Sequence, residues 1–267
     1  MIEPVNVDRP IGKNYFRDVP DDTLLITDIF PTVQGEGPYA GQRALFLRLA
    51  GCNYGGKGVV GKGCLFCDTS FFIDKAKPYT FDELVSAFDA RHPGSLDAQQ
   101  KTKLVVVTGG EPLLQKNLIS FIENTEGYFF QIETNGTQRV YPKQNCHVVV
   151  SPKVPQRVDA QRGGSYPVLN SETMRSAHCL KFVVSADKES PYHNIPQYAF
   201  RFQELGKPVY VSPMAVYRRP PPEPASIWDG SVYDQAACAD NTSYAFYLAQ
   251  TYGFRVSMQT HLYGAVK

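Results

Sequence analysis

The chain alternates short apolar runs of β character with stretches of helical spacing. That alternation limits it to a mainly parallel sheet flanked by helices. LLITDIF (24–30), ALFLRLA (44–50), KLVVVTGG (103–110), YFFQIETNG (128–136), HVVVSPK (147–153), LKFVVSA (180–186), PVYVSPM (208–214) and FRVSMQTH (254–261) read as strands. KLVVVTGG is apolar without interruption and ends in glycines, as a strand buried on both faces does. FDELVSAFDARH (81–92), LLQKNLISFIEN (113–124) and residues 194–205 and 233–252 read as helices. Thr80 is placed to cap the first of them, with Glu83 completing a capping box. The expected fold is α/β, a partial or modified (β/α) barrel of about six parallel strands. In such barrels the chemistry gathers at the carboxyl ends of the strands. Thr108, Glu111, Glu133, Asn135, Ser151, Lys153, Ser212 and Gln259 all stand there.

With 267 residues, 43% hydrophobic and 20% charged, the chain is long enough for a sizeable core and fits one domain. The expected division is a polar arm over residues 1–22 and a single domain over 23–267, with an insertion at 53–63. RRPPPEP (218–224) reads as a stiff connection. A net charge of +1 carries no electrostatic footprint for nucleic acid or an anionic membrane. The first residues lack the apolar core of a signal peptide, and no apolar run approaches the ~20 residues that span a bilayer. The expectation is a cytoplasmic protein in a reducing compartment.

Cys52, Cys64 and Cys67 cluster in AGCNYGGKGVVGKGCLFCDTSF, with eleven residues between the first and second and a C-x-x-C spacing between the last two. No fourth Cys or His lies nearby. Three thiolates suit an iron–sulfur cluster that keeps one coordination site for a small molecule. Zinc completed by a distant residue, and a redox pair, are the alternatives. Cys146, Cys179 and Cys238 read as core residues. Gly56–Lys62 fits a phosphate loop, but Gly63 stands where Ser or Thr would bind Mg2+, and no helix pattern follows.

The other motifs are individually weak. GGEP (109–112) and QGEGP (34–38) are turns or ligand-facing loops. Arg48, alone in the apolar FLRLAG, calls for an anion, either a substrate carboxylate or a buried Asp or Glu. Asp68 and Thr69 are oxygen ligands for Mg2+ or a turn pair. His261 ends the last strand pattern.

In chain order, FPTVQGEGPYAGQRALFLRLAGCN, CLFCDTSF, VVTGGEPLL, QIETNGT, VVSPK and VSMQTHLYG span about residues 28–267. The set resembles the 7-carboxy-7-deazaguanine synthases, radical S-adenosylmethionine (SAM) lyases of queuosine and deazapurine biosynthesis. The superfamily's usual C-x3-C opening is stretched here. The resemblance implies a [4Fe–4S] cluster on Cys52, Cys64 and Cys67, with SAM on its fourth iron and Mg2+ on Thr69. It implies SAM contacts at Phe66, Cys67, Asp68, Gly110, Glu133, Asn135, Ser151, Pro152, Lys153, Ser212, Pro213, Met214 and Ala215. It implies contacts to 6-carboxy-5,6,7,8-tetrahydropterin at Val33, Gln34, Gly35, Glu36, Arg48, Thr108, His261 and the terminal Lys267. The implied reaction is a radical ring contraction that releases ammonia and leaves 7-carboxy-7-deazaguanine. An external electron donor such as a flavodoxin and a homodimer are expected, and neither nucleic acid nor membrane as partner. An activase-type radical SAM enzyme and a zinc module that binds RNA are the competing readings.

Overall fold

A computed structural model describes residues 16, 18–54, 64, 66–67, 76–92, 103–154, 165–218 and 226–264. Among them runs a nine-stranded sheet: β1 (Thr23–Val33), β2 (Arg43–Leu49), β3 (Lys77–Thr80), β4 (Lys103–Gly109), β5 (Tyr128–Thr134), β6 (Cys146–Val150), β7 (Cys179–Val184), β8 (Val209–Pro213) and β9 (Arg255–Val256). Its order is β3-β1-β2-β4-β5-β6-β7-β8-β9. From β2 onward every pairing is parallel, while β1 runs antiparallel to β2 and β3. The sheet is therefore open, with one antiparallel edge that the strand pattern alone did not distinguish.

Successive strand residues point to opposite faces. Leu45, Leu47 and Leu49 of β2, Val105 and Val107 of β4, Phe130 and Ile132 of β5, Val148 and Val150 of β6, and Leu180, Phe182 and Val184 of β7 share one face and one core. Helices supply its other half. Leu84 and Phe88 come from α1 (Phe81–Arg91), and Leu118, Phe121 and Ile122 from α2 (Asn117–Asn124). After the short α3 (Ser171–Ser176), Ala199 and Phe202 come from α4 (Gln197–Glu204), and Ala245 and Leu248 from α5 (Gln235–Tyr252).

The second face is different. Near the amino ends of the parallel strands it holds Ala44, Leu104 and Val106, packed with Tyr39, Phe46 and Phe129. Tyr39 leans edge-on against Phe129 and His147, so the 3-10 turn Gly37–Tyr39 covers that end. Toward the carboxyl ends the same face carries Arg48, Thr108, Glu133 and Lys181.

Most sequence-based elements recur, with ends moved by a residue or more. The capping box is present as expected: Glu83 N–H donates to Thr80 Oγ1 at 3.3 Å and Thr80 N–H to Glu83 Oε2 at 2.8 Å. Three expectations change. The helix read over 113–124 splits into a 3-10 turn, Pro112–Leu114, and α2. Gln115 turns inward between them. Its Oε1 accepts from Leu25 N–H at 2.8 Å and its Nε2 donates to Leu25 O at 2.9 Å, completing β1 where β2 has ended. The last strand shrinks to two residues. Beyond Val256, Ser257 N–H still donates to Val211 O at 2.9 Å, but its carbonyl accepts from Ser212 Oγ and its hydroxyl from Gly37 N–H. The chain then enters α6 (Thr260–Gly264). Finally α3, capped by Asn170, is too short to show a period in sequence.

Of the expected arm, Phe16 and Val19 pack on Leu25 and Ala50. The insertion at 55–63 and residues 219–225 lie outside the described residues. No helix among the described residues is long and apolar enough to cross a membrane.

Thr80→Ala should remove the α1 cap and lower unfolding free energy by about 1 kcal/mol. Urea denaturation checks this; an unchanged midpoint would show that the box contributes nothing.

Candidate active site

Cys52 is delivered by the end of β2, where the chain passes Ala50 and Gly51. That segment lies directly against GGEP. A Cβ on Gly109, whose φ is +137°, would sit 2.1 Å from Leu49 O; one on Gly110 would sit 2.0 Å from Gly51 O and 2.7 Å from Cys52 Cβ. Glycine is required at both positions because backbone meets backbone there. Gly110 thus reaches Cys52 through close packing, and Glu111 N–H donates to Gly51 O at 2.8 Å.

Glu111 is fully buried and extends the clamp. Its Oε1 accepts from the Thr134 hydroxyl at 2.7 Å and Leu113 N–H at 3.1 Å; its Oε2 accepts from Asn135 N–H at 2.6 Å. Burial pushes its carboxyl up to about 7, against the pull of those donors and of Lys153. The clamp joins β2, β4 and β5 at their carboxyl ends. Asn135 is consumed locally: its Nδ2 donates to Asn53 Oδ1 at 2.8 Å, and its Oδ1 accepts from Thr137 N–H at 3.0 Å. Its side chain braces the residue after Cys52, a role that sequence did not suggest.

Cys64 and Cys67 close a turn, Cys67 N–H donating to Cys64 O at 2.9 Å. All six cysteines are free; Cys52 is buried, Cys64 half-buried and Cys67 exposed. Burial pushes the Cys64 thiol up, opposed by the Lys153 charge and by hydrogen bonds, including one from Tyr192. Tyr54 lies within electrostatic reach of Cys64 and Cys52, and its phenol, pushed up to about 12 chiefly by burial, donates to Lys153 O at 3.1 Å. Phe66 stacks edge-on against Tyr192 with ring centroids 5.1 Å apart, and Lys153 Nζ stands 6.0 Å from its centroid. Cys64, Phe66 and Lys153 are therefore brought together as expected, with Tyr54 and Tyr192 as neighbours that no sequence signal marked. Among the described residues no three His, Cys, Asp or Glu side chains converge as ligands of a single ion. Asp68 and Thr69 lie outside the described residues.

Ser151-Pro152-Lys153 follows β6. Ser151 N–H donates to Thr134 O at 2.7 Å, and Lys153 Nζ donates to Ser151 O at 2.9 Å and to its hydroxyl. Burial lowers the Lys153 pKa; the Cys64 charge acts to raise it. Ser212, Pro213, Met214 and Ala215 end β8 on the same side of the sheet, but their polar groups are engaged internally. Ser212 Oγ donates to Ser257 O at 2.8 Å, Met214 O accepts from Asn241 Nδ2 at 2.9 Å, and Ala215 packs with Tyr233, Cys238 and Leu262.

The loop after β1 crosses the second face. Gly35 O accepts from Thr260 N–H at 3.3 Å, and a Cβ on Gly35 would sit 3.1 Å from His261 Nδ1. Gly35 and His261, far apart in sequence, do share a corner. Gln34 is buried and its Oε1 accepts from Glu36 N–H at 3.2 Å. Glu36 reaches Lys181 of β7, whose Nζ also donates to Glu133 Oε2 at 2.9 Å. The Lys181 side chain is 8% exposed. Burial alone would lower its pKa, but the Glu133 and Glu36 carboxylates hold it raised. Lys181 was absent from the expected site. Its signal was available in LKFVV, where a lone cation interrupts an apolar strand as Arg48 does. Val33 stands apart: it is 49% exposed and pairs with Arg43, five residues and about 17 Å of strand from Arg48. Lys267 lies outside the described residues.

Arg48 faces Asp28 across β1 and Thr108 across β4 in register. Its guanidinium carbon stands 5.4 Å from the Phe30 ring centroid. Thr108 and Arg48 are thus adjacent, and a carboxylate neighbour on the same face is present in Asp28.

The open, mainly parallel sheet with polar side chains at its carboxyl edge is the α/β partial-barrel architecture that the resemblance implied. Comparison with known proteins agrees. No family model matches the chain. A 7-carboxy-7-deazaguanine synthase from Rhodospirillum rubrum is 32% identical over 253 residues, covering 90% of this chain and 91% of that protein. One from Rickettsia prowazekii is 30% identical over 266 residues, covering 98% and 97%. The crystal structure of QueE from Escherichia coli superimposes with a TM-score of 0.56 over 93% of this chain and 98% of that one, at 23% identity, and supports the fold. The chain belongs to the 7-carboxy-7-deazaguanine synthase family.

Glu111→Ala would strand three buried donors at about 1–3 kcal/mol each. Urea unfolding should show a loss above ~3 kcal/mol, and an unchanged midpoint would refute the clamp. Because folding raises the Glu111 pKa, the folded state binds the extra proton, and stability should fall as pH rises from the ordinary glutamate range through about 7. Glu111→Gln should flatten that slope; a slope equal to wild type would assign it elsewhere.

Proposed function

We propose that the chain is a 7-carboxy-7-deazaguanine synthase, converting 6-carboxy-5,6,7,8-tetrahydropterin to 7-carboxy-7-deazaguanine with loss of ammonia. What carries this reading is similarity over nine-tenths of the chain or more to relatives bearing that name. The donor set fits the implied cluster. Cys52, Cys64 and Cys67 are free thiols, and a cubane takes one thiolate per iron, so the three sulfurs need not meet at one point. A single structural zinc would need four convergent ligands.

Cys52, Cys64 and Cys67 would hold the cluster. Gly110, Phe66, Ser151, Pro152 and Lys153 would line the SAM side, with Asp68, Ser212, Pro213, Met214 and Ala215 beyond. Thr69 would supply an oxygen to Mg2+. Bound there, these groups supply one-electron chemistry at carbon and electrostatic stabilisation of the rearranging ring. The chain's own task is placement. Arg48 would grip the substrate carboxylate through its planar fork, with Thr108 beside it. Gln34, Gly35, Glu36 and His261 would frame the heterocycle, and Lys267 would close the far side. The aromatic lining of Phe66 and Tyr192 would keep water and stray hydrogen donors away.

Anaerobically reconstituted protein should bind about four irons per chain and convert the carboxypterin. Cluster-loaded protein that binds SAM yet forms no product would remove the assignment. Arg48→Lys should raise KM for the carboxypterin at least ~10-fold, losing the bidentate contact, with SAM affinity unchanged by calorimetry. Equal loss of both affinities would contradict the assigned role.

A further inference from the structure

The buried set on the second face has a composition that stability does not require. Lys181 comes from β7, Glu133 from β5 and Glu36 from the loop after β1, with Glu36 and Lys181 145 positions apart in sequence. Gln131, fully buried, donates to Glu133 Oε1 at 2.5 Å and so fixes the oxygen that Lys181 leaves. Gly37 N–H, donating to Ser257 Oγ at 2.9 Å, anchors the loop that carries Glu36. Among the described residues, two carboxylates share this one ammonium in a sheltered place. Well-packed apolar residues would stabilise the fold as well or better. Ionised carboxylates held in fixed positions do something that apolar residues cannot: they accept hydrogen bonds from the N–H groups of a heterocycle.

We propose that Lys181 is a positioning residue for the ring contraction, holding Glu36 and Glu133 in one arrangement and, through them, setting the orientation of the bound pterin. This rests on the function proposed above. Lys181 need not touch substrate. Among the described residues, Lys153 from the segment after β6 and Cys179 on β7 act electrostatically on the set, and Tyr210 of β8 pairs with Lys181 in register. Of these, Lys153 supplies a second positive charge. It is held by Ser151, however, and is not a direct partner of either carboxylate.

Without the ammonium, Glu36 and Glu133 lose the partner that holds them in one arrangement. Reconstituted Lys181→Met should keep its iron content and SAM affinity. Its KM for the carboxypterin should rise more than ~10-fold, the loss of one charge-assisted contact. Lys181→Arg keeps the charge on a different shape, so it should show a smaller rise in KM. Lys181→Met with wild-type KM would overturn the role while leaving the function intact. If that variant does not fold, Lys181→Arg decides: a wild-type KM overturns positioning, and a raised KM with intact SAM binding supports it. Wild-type protein that fails to turn over the carboxypterin overturns the function and this role with it.

Discussion

The approach of Gly109 and Gly110 to the Leu49–Cys52 backbone sets the geometry on which the site depends. Two carbonyls occupy the space where side chains would begin, so β4 and the end of β2 lock at a distance that only glycine permits. Glu111 then carries the lock sideways to Thr134 and Asn135, and Asn135 reaches back to Asn53. Cys52 is held within this ring of contacts while Cys64 and Cys67 arrive on a separate turn. Cys52 is buried, while Cys64 is half-buried and Cys67 exposed.

The two faces of the sheet divide the labour. One is closed by helices and is apolar throughout. The other is apolar only where Tyr39 and its turn cover it, and becomes charged toward the carboxyl ends of the strands. Charges placed there do not have to be matched by a packed layer of helix, but they remain sheltered enough to interact strongly. Removing the cation from a set such as Lys181, Glu36 and Glu133 costs about 3–5 kcal/mol, because the carboxylates stay buried without it.

Much of this was legible in the chain. The strand runs located all the parallel strands, since apolar β-branched stretches ending in polar turns have few other uses. The capping box at Thr80 and Glu83 followed from local chemistry. The cysteine trio and the ordered motifs located the site's rim. Less legible were features decided at a distance. Gln115 breaks a helical pattern because its side chain takes the Leu25 N–H past the end of β2, and Ser257 stands at the end of β9 with Ser212 on its carbonyl and Gly37 on its side chain. The glycines of GGEP read equally as a turn or a ligand-facing loop, and only the structure showed that they let β4 meet the end of β2.

The amino-acid sequence by itself determined the class of fold, most of the strand and helix content and the family, because each follows from local periodicity, spacing or motif order. Only the tertiary structure decided which polar groups meet. Arg48 and Lys181 look alike in sequence, each a lone cation in an apolar strand. Register puts the first beside Asp28 and Thr108 and the second between Glu36 and Glu133. A charge in a strand announces that it needs a partner; which partner it gets depends on sheet order and loop path, and these are properties of the whole chain.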